Sequence, residues 1–330
     1  MPASPSVPVQ SVGSSPNRTR GYLLAALAAA CWATGGLTAK WLFTPVDAAP
    51  EGWRVQPLGI GVDPMALSGG RALAAFLILG AYLLFARRTE MAVRPRELPF
   101  LAVFGVVGLA AVHFTYFKTI SLTSVATAIL LEYLAPIIVL VVSVALLRER
   151  LTWVLPAGVA LSVTGCALVV GALGGEGLEV SAAGIMWGLL SAVFFATYSL
   201  MGTYAAGRFS PWKLLFWGLG FATLFWLAIL GPSKVLGVFA EPSTALAVVY
   251  VAVMSTIVPF AAFLQALHYI EPTRATITAT LEPVLAGLAA FVLFGEALTP
   301  TQLAGGALVI LAIFVVQSSG EIPESLPPQD

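Results

Sequence analysis

Ten long apolar runs follow one another along this chain, at roughly residues 21–43, 64–86, 98–119, 124–147, 152–173, 181–204, 211–231, 244–270, 273–294 and 300–318. A helix needs about 20 apolar residues to cross the hydrocarbon core of a bilayer. Backbone in lipid must satisfy its own hydrogen bonds, which restricts spanning structures to helices and closed barrels, and barrel strands are about half this length and alternate in polarity. The runs therefore specify an all-α polytopic membrane protein with ten transmembrane helices. Composition agrees: 59% of the 330 residues are hydrophobic and 10% are charged, against about 25% charged in a soluble domain. Lipid must solvate most of the surface. The net charge of zero gives no reason to expect nucleic acid as a partner. Cys31 and Cys166 sit in separate apolar runs and read as small core residues, so neither a disulfide nor a metal or cofactor is expected.

Residues 1–20, rich in Pro and Ser, and residues 319–330 read as disordered tails. Lys and Arg collect in cytoplasmic loops. Arg18, Arg20, Arg87, Arg88, Arg94, Arg96, Arg148, Arg150, Arg208, Lys213 and Arg274 all fall on the side of the N-terminus when the ten runs are threaded back and forth. This predicts a multi-pass protein of the cell (inner or plasma) membrane with both termini cytoplasmic.

The chain repeats itself. LEYLAPIIVLVVSVALLRERLTWVLPAG from Leu131 overlies TATLEPVLAGLAAFVLFGEALTPTQLAG from Thr278, which pairs Leu134 with Leu281, Pro136 with Pro283, Glu149 with Glu296, Thr152 with Thr299 and Gly158 with Gly305. CWATGGL from Cys31 likewise pairs with FFATYSL from Phe194. Two units of five spans result, 21–173 and 181–318, and an odd number of crossings places the second upside down relative to the first. Such inverted repeats are a transporter architecture in which the substrate site lies near the midplane between the halves.

A Pro, an apolar run, and then RERLT or GEALT before a Gly-containing span, in both halves, resembles the ten-helix EamA family of the drug/metabolite transporter superfamily. ALHYIEPTRATITATLEPVLAGLAAFVLFGEALTPTQLAGGALVILA from Ala266 carries the resemblance most strongly. It implies alternating access through a central cavity lined mainly by the third, fourth, eighth and ninth spans, with help from the first and sixth. The family's substrates are diverse, including amino acids, related metabolites and amphipathic toxic compounds, mostly exported.

Intramembrane acids are costly and face protein or water. Glu132 lies about 12 Å deep in the fourth span at 1.5 Å per residue, and Glu282 reaches the central third of the membrane in the ninth. Glu282 aligns with Ala135, three residues from Glu132 and so on the same helix face. Both carboxylates are expected to look into one cavity, where they can take a proton or a cation. Pro136 and Pro283 lack an N–H, which frees the carbonyls of Glu132 and Ala279 to bind a substrate amine or a water and lets each helix bend. Arg71, at similar depth in the second span, is as good a candidate for an ion pair with Glu132 as for substrate binding. His113, Tyr116 and Phe117 share one face of the third span, able to stack a substrate ring or relay a proton, or simply to pack. Tyr133 beside Glu132, Trp32, Trp187 and Tyr198, and Gln265 toward the end of the eighth span complete the candidates. Glu149 and Glu296 read as structural, with Thr152 and Thr299 placed to cap the helices that follow. Gly158, Gly165, Gly305 and Gly306 would permit close helix contact, the basis for expecting a homodimer.

The chain contains no GxxxxGK[ST] loop to bind ATP, and no HExxH or GxSxG, so neither an ATP-driven pump nor an intramembrane enzyme is expected. The expected function is secondary export of small amphipathic metabolites such as amino acids or amines, proton-coupled through Glu132. An uncoupled facilitator of the same fold is the alternative.

Overall fold

The computed structural model describes residues 15–44, 46–48, 53–120, 122–123, 125–147, 149–172, 181–295 and 297–318. Glu296, residues 319–330 and the first part of the N-terminal tail lie outside them. Among the described residues, nine helices are long and apolar enough to cross a membrane: Asn17–Thr38, Met65–Ala86, Pro95–Ile120, Thr127–Leu146, Ala182–Ala206, Pro211–Leu230, Pro242–Ala266, Pro272–Phe294 and Pro300–Ser318. The fifth span, expected over 152–173, is the shorter apolar helix Val154–Val169, about 24 Å long. It stops early because Gly171 takes φ +79°, a left-handed conformation that breaks the helix. The first helix, in contrast, begins at Ser15, so residues 15–20 are helical where a tail was expected. Partners on the far side of the chain hold that extra length: Arg18 pairs with Glu271 at 3.3 Å and Arg20 lies 5.2 Å from the Tyr269 ring.

Helix packing follows the repeat. The first span packs on the eighth and ninth, and the sixth packs correspondingly on the third and fourth; the second meets the seventh, the fourth meets the ninth, and the fifth meets the tenth. Exchanging the two halves maps this set of contacts onto itself, as a two-fold relation between inverted repeats requires. Two pairs of repeat-related rings touch each other across the axis. Trp32 and Phe195 lie 6.1 Å apart edge-on, and His113 and Phe260 lie 5.4 Å apart.

Backbone irregularities are also duplicated. The fourth span is broken between Val125–Glu132 and Ala135–Leu146, and the ninth between Pro272–Ala279 and Leu281–Phe294. The cause in each is the proline: neither Pro136 nor Pro283 can donate to the residue four before it. The chain tightens there, with Leu134 N–H donating to Leu131 at 3.2 Å and Thr280 N–H to Ile277 at 3.2 Å. The third and eighth spans each carry a π-helical turn, Phe104–Ala110 and Val253–Ile257, at overlapping positions of the repeat. Such turns occur often at functional sites.

Glycines set the closest crossings. A Cβ on Gly105 would lie 2.4 Å from the Gly218 carbonyl oxygen, so the third and seventh spans meet backbone to backbone. One on Gly165 would lie 2.8 Å from the Gly305 oxygen, and one on Gly305 would lie 2.7 Å from the Gly165 oxygen. The small-residue faces of the fifth and tenth spans are thus used within the chain, which removes the reason for expecting them to join two protomers. The caps differ between halves. Thr299 Oγ1 accepts from the Gln302 N–H at 3.2 Å while Gln302 Oε1 accepts from the Thr299 N–H at 2.9 Å, a reciprocal capping box. Among the described residues Thr152 Oγ1 is buried without a hydrogen-bond partner and does not cap the fifth span.

Candidate functional site

The helix breaks place the two acids. Glu132 is the last residue before the break in the fourth span, and the Ser191 hydroxyl of the sixth span donates to its carboxylate. Gly188, one turn before Ser191, makes this approach feasible: a Cβ there would meet Leu131 Cδ1 at 2.3 Å. Glu282 lies in the first turn after the break in the ninth span. The buried Tyr133 hydroxyl donates to its Oε2 at 2.5 Å and lies 3.1 Å from the Ala279 carbonyl oxygen. That carbonyl is the one Pro283 frees, so the protein fills it with Tyr133 rather than leaving it open to a substrate amine or a water. Each acid is thereby held by a hydroxyl from the opposite half: Glu132 by Ser191, Glu282 by Tyr133.

Both carboxylates are half-buried and close enough for Glu282 to act electrostatically on Glu132. Tyr116 lies within the field of both. Among the described residues neither acid forms an ion pair. The ion pairs seen are Arg18–Glu271, Lys213–Glu97 and Arg274–Glu271. The Arg71–Glu132 pair weighed from the sequence does not form. Arg71 faces the third span, with its Cζ 5.8 Å from the Phe117 ring centroid, whereas Glu132 is turned toward the sixth.

The structure divides the remaining candidates. Tyr116 and Phe117 have rings 5.6 Å apart; Tyr116 is on the side of the acids and Phe117 lies against Arg71. His113 is on the axis instead: its Nδ1 lies 2.8 Å from the Leu109 carbonyl and its ring packs on Phe260. Trp32 packs 5.4 Å from Phe260 and 5.7 Å from Phe263. Tyr198 is fully buried against the same rings, 5.3 Å from Phe260 and 5.8 Å from Phe263. These three form an aromatic plug with the eighth span. Trp187 lies apart, edge-on to Phe114 at 5.7 Å. Gln265 is further off, with Nε2 3.5 Å from the Tyr269 hydroxyl at the end of its span.

A second polar cluster closes the face that carries the N-terminal end of the first span. Arg274, read from the sequence as a loop cation, is buried in the first turn of the ninth span. Its Nη1 donates to the Tyr22 hydroxyl at 3.2 Å and to the Val316 carbonyl, and its Nε lies 2.9 Å from Glu271. Thr273 donates to Glu149 at 2.7 Å. One cluster therefore ties the first, ninth and tenth spans to the loop after the fourth. Apart from Glu149, its members have no charged repeat counterpart at the other face: Arg274, Thr273 and Glu271 correspond to Thr127, Ala126 and Ser124, and Tyr22 and Arg18 to Ile185 and Ser181.

Two predictions arise here. Tyr133→Phe leaves Glu282 and the Ala279 carbonyl without their donor, and an unsatisfied buried polar group costs about 1–3 kcal/mol; the detergent-solubilised variant should melt measurably lower than wild type. Burial pushes the Glu149 carboxyl above the ordinary glutamate range, with the Glu271 charge adding to it. The folded state thus holds that proton more tightly than the unfolded state, and stability falls as pH rises through the interval between the two. Glu149→Gln should match wild type in melting temperature at acid pH and exceed it at neutral and higher pH.

Two inverted five-helix units, broken helices at matching places and a pair of interior acids define a membrane transporter. The EamA-like transporter family model matches residues 19–171 and again 182–318, and the chain belongs to that family. An uncharacterized transporter of Archaeoglobus fulgidus is 32% identical over 256 residues, 78% of this chain and 87% of the relative. A probable terminal-alkyne amino-acid exporter of Streptantibioticus cattleyicolor is 28% identical over 259 residues, 78% of this chain and 84% of that protein. A crystal structure at 23% identity superposes with a TM-score of 0.68 over 89% of this chain and 97% of its own, a likeness of fold.

Proposed function

We propose that the chain is a secondary exporter of small amphipathic metabolites bearing an amine, working by alternating access and coupled to protons through Glu132. The observation that carries this reading is the pair of interior carboxylates, Glu132 and Glu282, each held by a hydroxyl from the other half and, among the described residues, neither paired with a cation. A carboxylate that deep is costly unless it faces a cavity or a partner, and an amine or a proton is the complementary partner. The printed name of the Streptantibioticus relative, an amino-acid exporter, supports the same substrate range. The aromatic plug and the Arg274 cluster are the contacts that would have to part for the N-terminal face to open. The distribution of Lys and Arg supports both termini in the cytoplasm of the cell membrane.

The test begins with a thermal-shift screen of amino acids, amines and aromatic metabolites on purified protein, since a ligand of the folded state stabilises it by mass action. Hits are then followed as radiolabelled solutes in vesicles with an imposed pH gradient. Accumulation against the solute gradient that collapses with a protonophore is the expected result. Movement that only equilibrates the solute identifies an uncoupled facilitator, and movement of none of the panel removes the transporter reading for these substrates.

A further inference from the structure

Two loops on the N-terminal face converge into one basic surface. Residues 87–97, between the second and third spans, and residues 207–213, between the sixth and seventh, together carry six basic residues and two acids. Contacts between the halves hold the loops together. The Ser210 hydroxyl donates to Glu90, Lys213 Nζ lies 2.7 Å from Glu97 Oε2, and Trp217 Nε1 donates to the Met91 carbonyl at 3.2 Å. Phe100 and Phe209 stack with ring centroids 5.6 Å apart. Arg208 covers the Tyr204 ring at 4.1 Å, and Arg87 lies 5.7 Å from the Trp212 ring.

These contacts occupy both acids and one cation. Glu97 also accepts from the Arg94 N–H at 3.0 Å. Arg87, Arg88, Arg94, Arg96 and Arg208 stay exposed, and among the described residues none of them forms an ion pair. The Arg274 cluster on the same face differs, since Arg18 and Arg274 both pair with Glu271. The loops at the matching places of the repeat are not basic: residues 231–242 carry one lysine and one acid, and residues 44–63 carry one arginine and three acids. The patch thus belongs to this one corner of the molecule and not to the fold.

Its depth points to lipid. The second span ends at Ala86 and the third begins at Pro95; the sixth ends at Ala206 and the seventh begins at Pro211. Every one of the five arginines therefore lies within two residues of a span end, the level of the headgroups. Just before Arg87 and Arg88, Leu84 is 42% and Phe85 88% exposed, an apolar surface for acyl chains. A soluble polyanion would meet the arginines alone, whereas a phospholipid satisfies both surfaces.

We propose that this corner binds anionic phospholipid of the adjoining leaflet, with arginines of both halves on the phosphates and the acyl chains along Leu84 and Phe85. Clusters of about four to eight basic residues immediately beyond a membrane span attract anionic lipid, and a planar guanidinium holds a phosphate through two parallel hydrogen bonds. Because Arg208 comes from one half and the other four arginines from the other, a lipid bound there bridges the two repeats.

The experiment titrates the intact protein in a neutral detergent with dihexanoyl phosphatidylglycerol and, separately, dihexanoyl phosphatidylcholine, reading affinity from the rise in melting temperature. Wild type should bind the anionic lipid at least tenfold more tightly, a preference that shrinks as salt is raised. In the triple variant Arg88→Gln, Arg94→Gln, Arg96→Gln the preference should fall at least tenfold, and lysine at the same three positions should recover part of it. Arg87 and Arg208 are left in place because their guanidinium groups pack on rings. The control Arg150→Gln, Lys234→Gln removes two exposed cations elsewhere and should keep the full preference. Equal binding of the two lipids by wild type, or an undiminished preference in the triple variant, overturns the assignment. So does equal stabilisation by sn-glycerol 3-phosphate or by an acidic peptide, which would identify a site for soluble anions. If the triple variant fails to fold, Arg96→Gln alone decides: its preference should fall at least twofold, and no change overturns the proposal.

Discussion

Vesicles carrying the double variant Glu132→Gln, Glu282→Gln are expected to move substrate at least about thirtyfold more slowly than wild type, close to the rate of empty vesicles. Truncating one side of a buried charge contact costs about 2–5 kcal/mol, and every 1.4 kcal/mol is about tenfold. Glutamine keeps the shape and can still accept from Ser191 and Tyr133, so the hydroxyl contacts that position the two side chains survive. What disappears is the charge and the capacity to carry a proton. The single variants separate the roles. If Glu132 carries the proton, Glu132→Gln should abolish the response to a pH gradient while allowing solute exchange at equal concentrations. Glu282→Gln should weaken binding with the pH response intact. Full activity in the double variant would remove both acids from the mechanism.

Gly165→Leu is the variant expected to damage the fold most. The obstacle to a side chain is backbone: the Gly305 oxygen at 2.8 Å and the Val309 nitrogen at 2.9 Å, with Val309 Cγ2 also at 2.8 Å. A flexible side chain can rotate away from an added group, whereas the main chain of a neighbouring helix cannot move without separating the two spans. Overpacking costs about 1–3 kcal/mol and sometimes more. Here it should reach the upper end or beyond, a large share of the 5–15 kcal/mol that ordinarily holds a protein folded. Poor recovery from detergent extraction and a much lower melting temperature are the expected readouts. Gly36→Leu is the control: nothing lies within 4 Å of a Cβ there, and it should behave as wild type.

The architecture was legible because its signals are local. Run length set the spans, and the described helices begin and end within a few residues of the runs. Of the exceptions, Gly171 ends the fifth span through its own backbone, whereas Arg18 and Arg20 extend the first through partners distant in sequence, Glu271 and Tyr269. Pro136 and Pro283 announced the helix breaks through a missing N–H, a property of one residue. The partners of the acids were not legible. Nothing in the spacing of Ser191 or Tyr133 says that each serves a carboxylate in the opposite half, since that depends on where two distant helices cross. Glycine was read in its general sense, as a surface for close contact, but which helix approaches is a tertiary fact. Arg274 was misplaced for a related reason: beside a loop a cation reads as solvated, and only the converging ends of the first and tenth spans bury it.

The cluster around Arg274 is built from ion pairs and hydrogen bonds, and apart from Glu296, the counterpart of Glu149, the positions that correspond to its members in the other half are uncharged. Mobile ions weaken contacts between partly exposed charges, with a screening length of about 8 Å at physiological ionic strength and 3 Å at 1 M, while salts that are excluded from protein surfaces strengthen apolar closure. Arg18 and Glu271 are partly exposed and so within reach of such screening. Ionic strength is then expected to loosen the N-terminal face selectively, which makes the tie between the first and ninth spans a property of the solution as well as of the chain.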